Sequence, residues 1–198
     1  MTRKSILLAV AASLAMTAIS GCATVSEETC IAGSWEALGY KDGRNGKSRG
    51  HFADIAETCA KYGIAANASE YRLGYDQGLP LYCSYDKGFS TGDNGNSPKE
   101  ECLAIGADDY VDGHRDGYAS YIIRSEYESL IEEYDDILKA FDNVSERLLD
   151  ETLPADEAKR LRKKRKRLSR ELDDARIDVR AFERVEGWPK RQLQTSPY

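Results

Sequence analysis

The chain has 198 residues and carries 34 acidic against 28 basic side chains, a formal net charge of −6. This length allows one or two small domains, and the acidic balance argues against a nucleic-acid partner. We divide the sequence into four segments: a signal peptide at 1–21, a glycine- and aromatic-rich domain at 22–118, a helical hairpin at 119–186 and a flexible tail at 187–198.

The N-terminus has the pattern of an export signal. Arg3 and Lys4 precede an apolar run over 6–19, which is shorter than the about 20 residues that span a bilayer and typical of a signal peptide. The run ends in Ile19-Ser20-Gly21-Cys22, which resembles the lipobox of bacterial lipoproteins. The resemblance implies cleavage before Cys22, lipidation of its thiol, and an acyl chain such as palmitate on the new N-terminus. Ala23 after the cysteine, by the same resemblance, favours the outer membrane. A secreted protein with a chance cysteine is the alternative.

The other four cysteines are Cys30, Cys59, Cys83 and Cys102. An even number in an oxidising compartment predicts two disulfides. Three connectivities are open, and we favour Cys30–Cys59 with Cys83–Cys102 because each pair falls inside one of two similar halves. A zinc site is the alternative, but there is no Cys-x-x-Cys pair and metal ligands are usually closer in sequence. We expect no metal and no cofactor.

Residues 22–118 contain a weak internal repeat, in which an aromatic residue precedes Gly-x-x-x-Gly. Glycines four apart share one face of a helix and allow a neighbour to approach closely. We predict helices for the copies at 35–43, 71–78 and 110–117, whereas the copy at 85–92 runs into a strong loop signal at 93–98. Turns with positive φ are the alternative. Residues 52–62 have helical spacing and end at Gly63.

Residues 119–186 carry two heptad seams, which predict helices. The first helix is expected at about 117–150 and the second at about 154–185, because Pro154 interrupts the pattern. A short link between two apolar stripes favours an antiparallel coiled-coil hairpin, with intermolecular pairing as the alternative. The seams are Ile123, Tyr127, Leu130, Tyr134, Ile137, Phe141, Val144 and Leu148, then Leu161, Arg165, Leu168, Leu172, Ala175, Val179 and Phe182.

Charge is segregated along this hairpin. Residues 139–170 hold eleven basic and six acidic side chains, a net +5, whereas 124–136 with 171–180 hold three basic and ten acidic, a net −7. The hairpin should therefore have a positive tip and a negative base. A run of charged residues usually forms a solvent-exposed helix face. The more specific hypothesis is that the basic run contacts phospholipid, lipopolysaccharide or an acidic protein. The candidate contacts are Lys159, Arg160, Arg162, Lys163, Lys164, Arg165, Lys166 and Arg167.

Three patterns suggest a catalytic or metal-binding site, but each lacks a feature that such a site requires. Gly46-Lys47-Ser48-Arg49-Gly50 matches a nucleophile elbow, but the stretch before it is polar rather than a buried strand. The two histidines, His51 and His114, have no metal-ligand spacing. The segment 108–113 suggests a calcium loop, but it has tyrosine at the third position and no glutamate at the twelfth.

The motif order resembles a family of Gram-negative bacterial lipoproteins described only as a domain of unknown function. The resemblance covers nearly all of the mature chain but brings no known activity, so it assigns no catalytic residue. It lies in Cys30…Trp35…Gly39-Tyr40-x-Asp42-Gly43-x-x-Gly46, His51, Cys59-Ala60-x-x-Gly63, Tyr71-x-x-Gly74-x-x-x-Gly78-Leu79-x-x-Tyr82-Cys83, Gly88-Phe89-x-x-Gly92-x-x-Gly95, Cys102 and Tyr110-x-x-Gly113-x-x-x-Gly117.

We therefore expect a mainly α-helical protein: a small two-disulfide, Gly/Tyr-rich domain followed by a long antiparallel coiled-coil hairpin. The favoured function is a non-enzymatic adaptor or scaffold, anchored by lipid to the periplasmic face of the outer membrane. The expected partners are the membrane and an envelope protein or anionic envelope surface. The alternatives are an envelope hydrolase that uses Ser48 or carboxylates, and a lipoprotein that binds a small ligand in an aromatic cleft of the first domain. The oligomeric state is left open.

Overall fold

The computed structural model describes residues 24–194, and within that part the chain forms eight helices and no strand. The predicted mainly α-helical class is confirmed. None of these helices combines the length and the apolar run that crossing a bilayer needs. The helices are α1 (Glu27–Ala32), α2 (Trp35–Arg44), α3 (His51–Ala60), α4 (Ala68–Tyr82), α5 (Tyr85–Asp93), α6 (Glu100–Ala104), α7 (Asp108–Arg147) and α8 (Ala155–Val185).

The described residues divide into two compact units, with the boundary between Leu81 and Tyr82. The domain boundary that we expected between residues 118 and 119 lies inside α7, so it does not separate the two units. The predicted helices at 110–117 and about 117–150 are one continuous helix of 40 residues. Since α7 carries both the last glycine pair and the first hairpin seam, the second half of the glycine-rich segment shares a unit with the hairpin.

In the first unit, α2 and α4 meet through glycines on both helices. An added Cβ on any of these glycines would overlap the backbone of the other helix. The contact is reciprocal and needs glycine at all four positions, because no side chain fits between the two backbones. The glycines of α2 are Gly39 and Gly43, facing the carbonyls of Tyr71 and Tyr75; those of α4 are Gly74 and Gly78, facing the carbonyls of Glu36 and Tyr40.

The second unit repeats this arrangement with α5 and α7. The glycines are Gly88 and Gly92 on α5, facing the carbonyls of Tyr110 and His114, and Gly113 and Gly117 on α7, facing those of Tyr85 and Phe89. The sequence predicted no helix for the copy at 85–92 because a loop signal follows it, but this copy forms α5, which is helical through Asp93. The loop signal is real but starts one residue later, and Ser84 caps the start of the helix through the N–H of Lys87.

The turns after α2 and α5 are also equivalent. Gly46 and Gly95 have positive φ, 66° and 71°, a conformation that suits glycine because it lacks a Cβ. The next carbonyl then accepts a side-chain hydrogen bond from the second helix of the pair: Tyr75 donates to Lys47 O at 2.5 Å, and His114 Nε2 lies 2.8 Å from Asn96 O. The weak repeat in the sequence is therefore a structural duplication, one copy in each unit.

Helices α7 and α8 form the predicted antiparallel hairpin. Its seam is buried at Tyr134 with Ala175 and at Phe141 with Leu168. One detail of the first seam differs. A residue that directly follows a seam residue can be the more buried of the two: Leu138 is buried, whereas the seam residue Ile137 is only partly buried. The apolar stripe is therefore wider than a strict heptad seam.

The stripe is wide because the chain after α8 folds back along the hairpin. Trp188 packs against Tyr127 and Phe182, with ring centroids 4.8 and 5.8 Å away. Leu193 packs against the cluster of Tyr134. The described residues 187–194 are therefore bound to the hairpin, which corrects their assignment to a flexible tail. A tryptophan supplies enough buried area to hold a short segment in place.

Candidate functional site

The predicted cysteine sites have different outcomes. Cys22 lies outside the described residues. The other four cysteines are buried and form Cys30–Cys59 and Cys83–Cys102, the pairing favoured from the sequence. Among residues 24–194 there is no group of three or more His, Cys, Asp or Glu side chains arranged to hold a metal ion.

The eight candidate contacts for an anionic surface all lie in the first half of α8. Seven of them are exposed, whereas Arg165 is half-buried because it occupies a seam position. Arg167 has the one ion pair of this set in the described part of the chain, 3.4 Å from Glu171 within α8. We call residues 159–170 the basic tip. Its cations are therefore neutralised very little by neighbouring carboxylates.

Helical spacing places seven of the nine basic residues of the tip on two faces of α8. Residues three or four apart share a face of a helix. The ridge, which we define as Lys159, Lys163, Lys166 and Arg170, lies on the opposite side of α8 from the seam. The shoulder, defined as Arg160, Lys164 and Arg167, lies beside the seam. The ridge is all positive and faces solvent along its whole length.

The base of the hairpin carries an acidic groove between α7 and α8. The groove has a volume of about 620 Å³ and is lined by Ile137 and Ala175 together with carboxylates from both helices. Carboxylates that line one groove repel one another and attract cations. The carboxylates are Glu132, Glu133, Asp136, Glu171, Asp174 and Asp178.

A buried carboxylate joins the hairpin to the segment that follows it. Glu183 is 2% exposed and accepts hydrogen bonds from Tyr127 Oη at 3.0 Å, Arg180 Nη1 at 2.8 Å and the Arg191 backbone N–H at 2.8 Å. Burial by itself raises the pKa of Glu183, but these three donors together bring its pKa below the ordinary value. The carboxylate is a structural anion whose partners satisfy its charge.

The first unit contains a second buried carboxylate, Asp42. It is 6% exposed and accepts a hydrogen bond of 2.8 Å from Tyr71 Oη, while His51 Nε2 lies 3.8 Å away. Burial and this hydrogen bond hold the pKa of Tyr71 far above its usual range. The equivalent position in the second copy is Thr91, which pairs with the hydroxyl of Tyr110 at 3.3 Å. The duplicated position is therefore charged in the first unit alone.

Next to Tyr71 lies a cleft of about 230 Å³, here called the aromatic cleft. Arg49 stacks over the ring of Tyr75 at 5.1 Å and reaches Asp76 at 2.9 Å. Two guanidinium groups beside apolar rings suit a small anion with an aromatic or aliphatic body. The lining residues are Arg49, Phe52, Ala68, Tyr71, Arg72 and Tyr75. The sequence placed an aromatic cleft in this domain but did not identify the arginines, which come from separate elements.

The remaining chemical hints find no support in the geometry. Ser48 lies in the turn between α2 and α3, and the described residues contain no strand before it to form a nucleophile elbow. His114 is hydrogen-bonded to backbone. The segment 108–113 is the start of α7 rather than a calcium loop.

The sequence did not predict that Glu183 and Trp188 together hold the segment after α8 against the hairpin. The signal for them was Gly187-Trp188 directly after the last heptad, where Gly187 adopts positive φ and ends the helix. A tryptophan in an otherwise polar tail is a signal for docking. Glu183 itself follows the seam residue Phe182 and gave no separate signal.

A family model described as "Protein of unknown function (DUF2799)" matches residues 34–121. The predicted resemblance to a family of unknown function is confirmed over this segment. The matched range includes both glycine-paired helix contacts and ends within α7, before the hairpin seam. Neither a curated protein nor a solved structure matches the chain.

Proposed function

We propose that this chain, whose residues 34–121 match the model of a family of unknown function, is a lipid-anchored envelope lipoprotein that acts as a non-enzymatic adaptor. In this proposal Cys22 carries the lipid, and the chain is held on the periplasmic face of the outer membrane. The hairpin formed by α7 and α8 is the working part. Its basic tip contacts an anionic envelope surface.

The observation that carries the proposal is the exposed, unneutralised ridge of α8. Lys159, Lys163 and Lys166 project from one face and make no ion pair within residues 24–194. Each lysine held near an anionic membrane contributes about 1 kcal/mol of binding free energy. Three such residues would therefore strengthen binding by roughly a hundredfold. The base of the hairpin is acidic and would be repelled by an anionic surface. The hairpin would therefore not lie flat on that surface, and its basic tip would point toward it.

Vesicle binding tests this role. A chain of residues 22–198 with Cys22→Ser, which lacks the proposed signal peptide and the proposed lipid site, is mixed with vesicles of phosphatidylglycerol and phosphatidylcholine, and with phosphatidylcholine alone. We expect binding to the anionic vesicles only. The triple variant Lys159→Gln, Lys163→Gln, Lys166→Gln should bind on the order of a hundredfold more weakly.

A matched variant keeps the test specific to the tip. Lys41→Gln, Lys61→Gln and Lys190→Gln removes the same number of charges at exposed positions outside α8. This variant should bind anionic vesicles nearly as well as the unaltered chain. Equal losses in the two triple variants would show a net-charge effect and reject a role for the ridge.

The aromatic cleft supports a second candidate, a small-ligand-binding lipoprotein. The supporting observation is that Arg72, which lines the cleft, has no partner among the described residues. An unpaired guanidinium beside Tyr71 and Phe52 would recognise a carboxylate on a small apolar body.

Benzoate is a suitable probe, with benzyl alcohol as its neutral counterpart. Amide and aromatic NMR shifts around Tyr71 should move on adding benzoate and not on adding benzyl alcohol. Arg72→Ala should abolish the shifts, whereas Arg115→Ala in the second unit should leave them unchanged. Benzoate shifts that survive Arg72→Ala would reject the cleft as an anion site.

A further inference from the structure

We infer that two copies of this chain pair through antiparallel α8 helices, with the shoulder of the basic tip of one copy against the acidic groove of the other. The partner is a second copy because the complementary charges lie on one face of one helix. This inference goes beyond the adaptor proposal and does not depend on lipid attachment.

The face in question follows a regular spacing along α8. Arg160, Lys164 and Arg167 continue as Glu171, Asp174 and Asp178, with steps of four and three residues throughout. Residues with this spacing form one stripe on a helix. The stripe is basic in its first half and acidic in its second, and all six side chains are exposed or half-exposed.

The stripe is self-complementary in an antiparallel arrangement. Arg160 and Asp178, Lys164 and Asp174, and Arg167 and Glu171 are each placed symmetrically about the level of Ser169. A two-fold axis at that level brings every cation of one copy opposite a carboxylate of the other. This is an isologous contact, in which each pair occurs twice.

The other helix of the hairpin, α7, adds acidic side chains beside the acidic half of the stripe. The groove beside the acidic half of the stripe is lined by Glu132, Glu133 and Asp136 of α7 as well as by α8. Lys164 and Arg167 of a second copy would therefore enter a cavity of about 620 Å³ with carboxylates on two sides.

The existing ion pairs leave this stripe available. Arg160, Lys164, Asp174 and Asp178 have no hydrogen bond or ion pair within residues 24–194. Arg167 and Glu171 already pair within one helix at 3.4 Å, and in a dimer they would exchange partners. The outward ridge, including Lys163, lies on another face and is not used.

The test is sedimentation velocity of residues 22–198 with Cys22→Ser, which lack the proposed signal peptide, at about 0.01 M and about 1 M salt. Exposed charges attract over a screening length that falls from about 30 Å to about 3 Å between these conditions. We expect dimers at low salt and monomers at high salt. A chain that stays monomeric at low salt across the accessible concentrations would overturn the inference.

Charge reversal then tests the register. Lys164→Glu places like charges opposite each other at two symmetric positions, and so does Asp174→Lys; each should weaken self-association by roughly tenfold or more. The double variant Lys164→Glu, Asp174→Lys should dimerise again. The two single variants should also dimerise with each other when mixed, because opposite charges then meet at both positions.

Lys163→Glu is the matched control. It changes net charge by the same amount as Lys164→Glu but lies on the ridge, so the dimer should persist. The combination Lys163→Glu, Asp174→Lys should fail to restore it. Equal loss from Lys163→Glu and Lys164→Glu, or no rescue in the double variant, would rule out this pairing. Circular dichroism of each variant confirms that α8 remains folded.

Discussion

The α-carbon of Gly39 lies directly against the carbonyl oxygen of Tyr71, so a methyl group added to Gly39 would overlap that oxygen. The oxygen belongs to the backbone of α4 and cannot rotate away. Gly74 stands in the same relation to the carbonyl of Glu36 on α2. The two helices of the first unit are thus joined by mutual backbone contact rather than by interlocking side chains.

Gly39→Ala should therefore destabilise the first unit by about 3 kcal/mol or more, since inserted atoms in a tight contact force the backbone apart. Gly50→Ala is the control. Gly50 has helical φ, and an added Cβ would meet its nearest neighbour, Ser48 Oγ, at an ordinary 3.7 Å. That change should be neutral or slightly stabilising. Urea unfolding measures both, and similar losses would contradict this packing.

The two disulfides should each stabilise the fold by about 3–4 kcal/mol, because they close loops with sequence separations of 29 and 19. The paired changes Cys30→Ser with Cys59→Ser, and Cys83→Ser with Cys102→Ser, should each lower the free energy of unfolding by that amount. Peptide mapping without reductant should recover these two linked pairs. A linked peptide containing Cys59 and Cys83 would contradict the duplication.

Glu183 should make the second unit sensitive to acid. Its pKa is lowered in the folded state, so its stabilising contribution is present above the ordinary carboxyl pKa and is lost as the pH falls through the lowered value. Glu183→Gln should cost about 2 kcal/mol at neutral pH, and the difference from the unaltered chain should shrink in acid. Thermal unfolding at several pH values tests this. Exposed Glu186→Gln should have little effect, and a pH-independent difference at Glu183 would contradict the assignment.

The hydroxyl of Tyr71 should contribute more than that of Tyr85, although both donate to an aspartate. Asp42 is buried, and loss of the donor would leave a poorly solvated carboxylate, whereas the Tyr85–Asp116 pair is exposed. We expect Tyr71→Phe to cost about 2 kcal/mol and Tyr85→Phe about 0.5 kcal/mol or less. Chemical denaturation of the two variants gives the comparison. Equal costs would show that burial of Asp42 is unimportant.

The predictions that rest on local patterns succeeded, and their limits have physical causes. Heptad spacing placed the hairpin because residues such as Phe141 and Leu168 bury themselves wherever the helices meet. The sequence could not predict that Leu138 would be covered more than Ile137, because the cover comes from Leu193, far along the chain. Helix α5 was not predicted because a loop signal directly follows it at 93–98. Its glycines, which lower helix propensity, are tolerated because they contact α7.

In the candidate site, too, features on one segment could be predicted from the sequence, whereas features that combine distant segments could not. The basic tip is visible in the sequence because one short segment carries all its charges. The self-complementary stripe also lies on one helix, but it becomes apparent only when the seam fixes which residues point outward. The environment of Asp42 and the aromatic cleft bring together residues from α2, α4 and the turn before α3, and one-dimensional spacing does not predict such contacts.

Site-specific photocrosslinking in cells tests the adaptor role of the hairpin most directly. Leu149 at the tip and Ile177 near the base are apolar and exposed, 65% and 61%, so a crosslinking amino acid at either position removes no charge. We expect adducts with an envelope lipid or protein from position 149 and few from position 177. Mass spectrometry would distinguish a lipid from a protein partner. Absence of adducts from position 149, or equal adducts from both positions, would contradict this role.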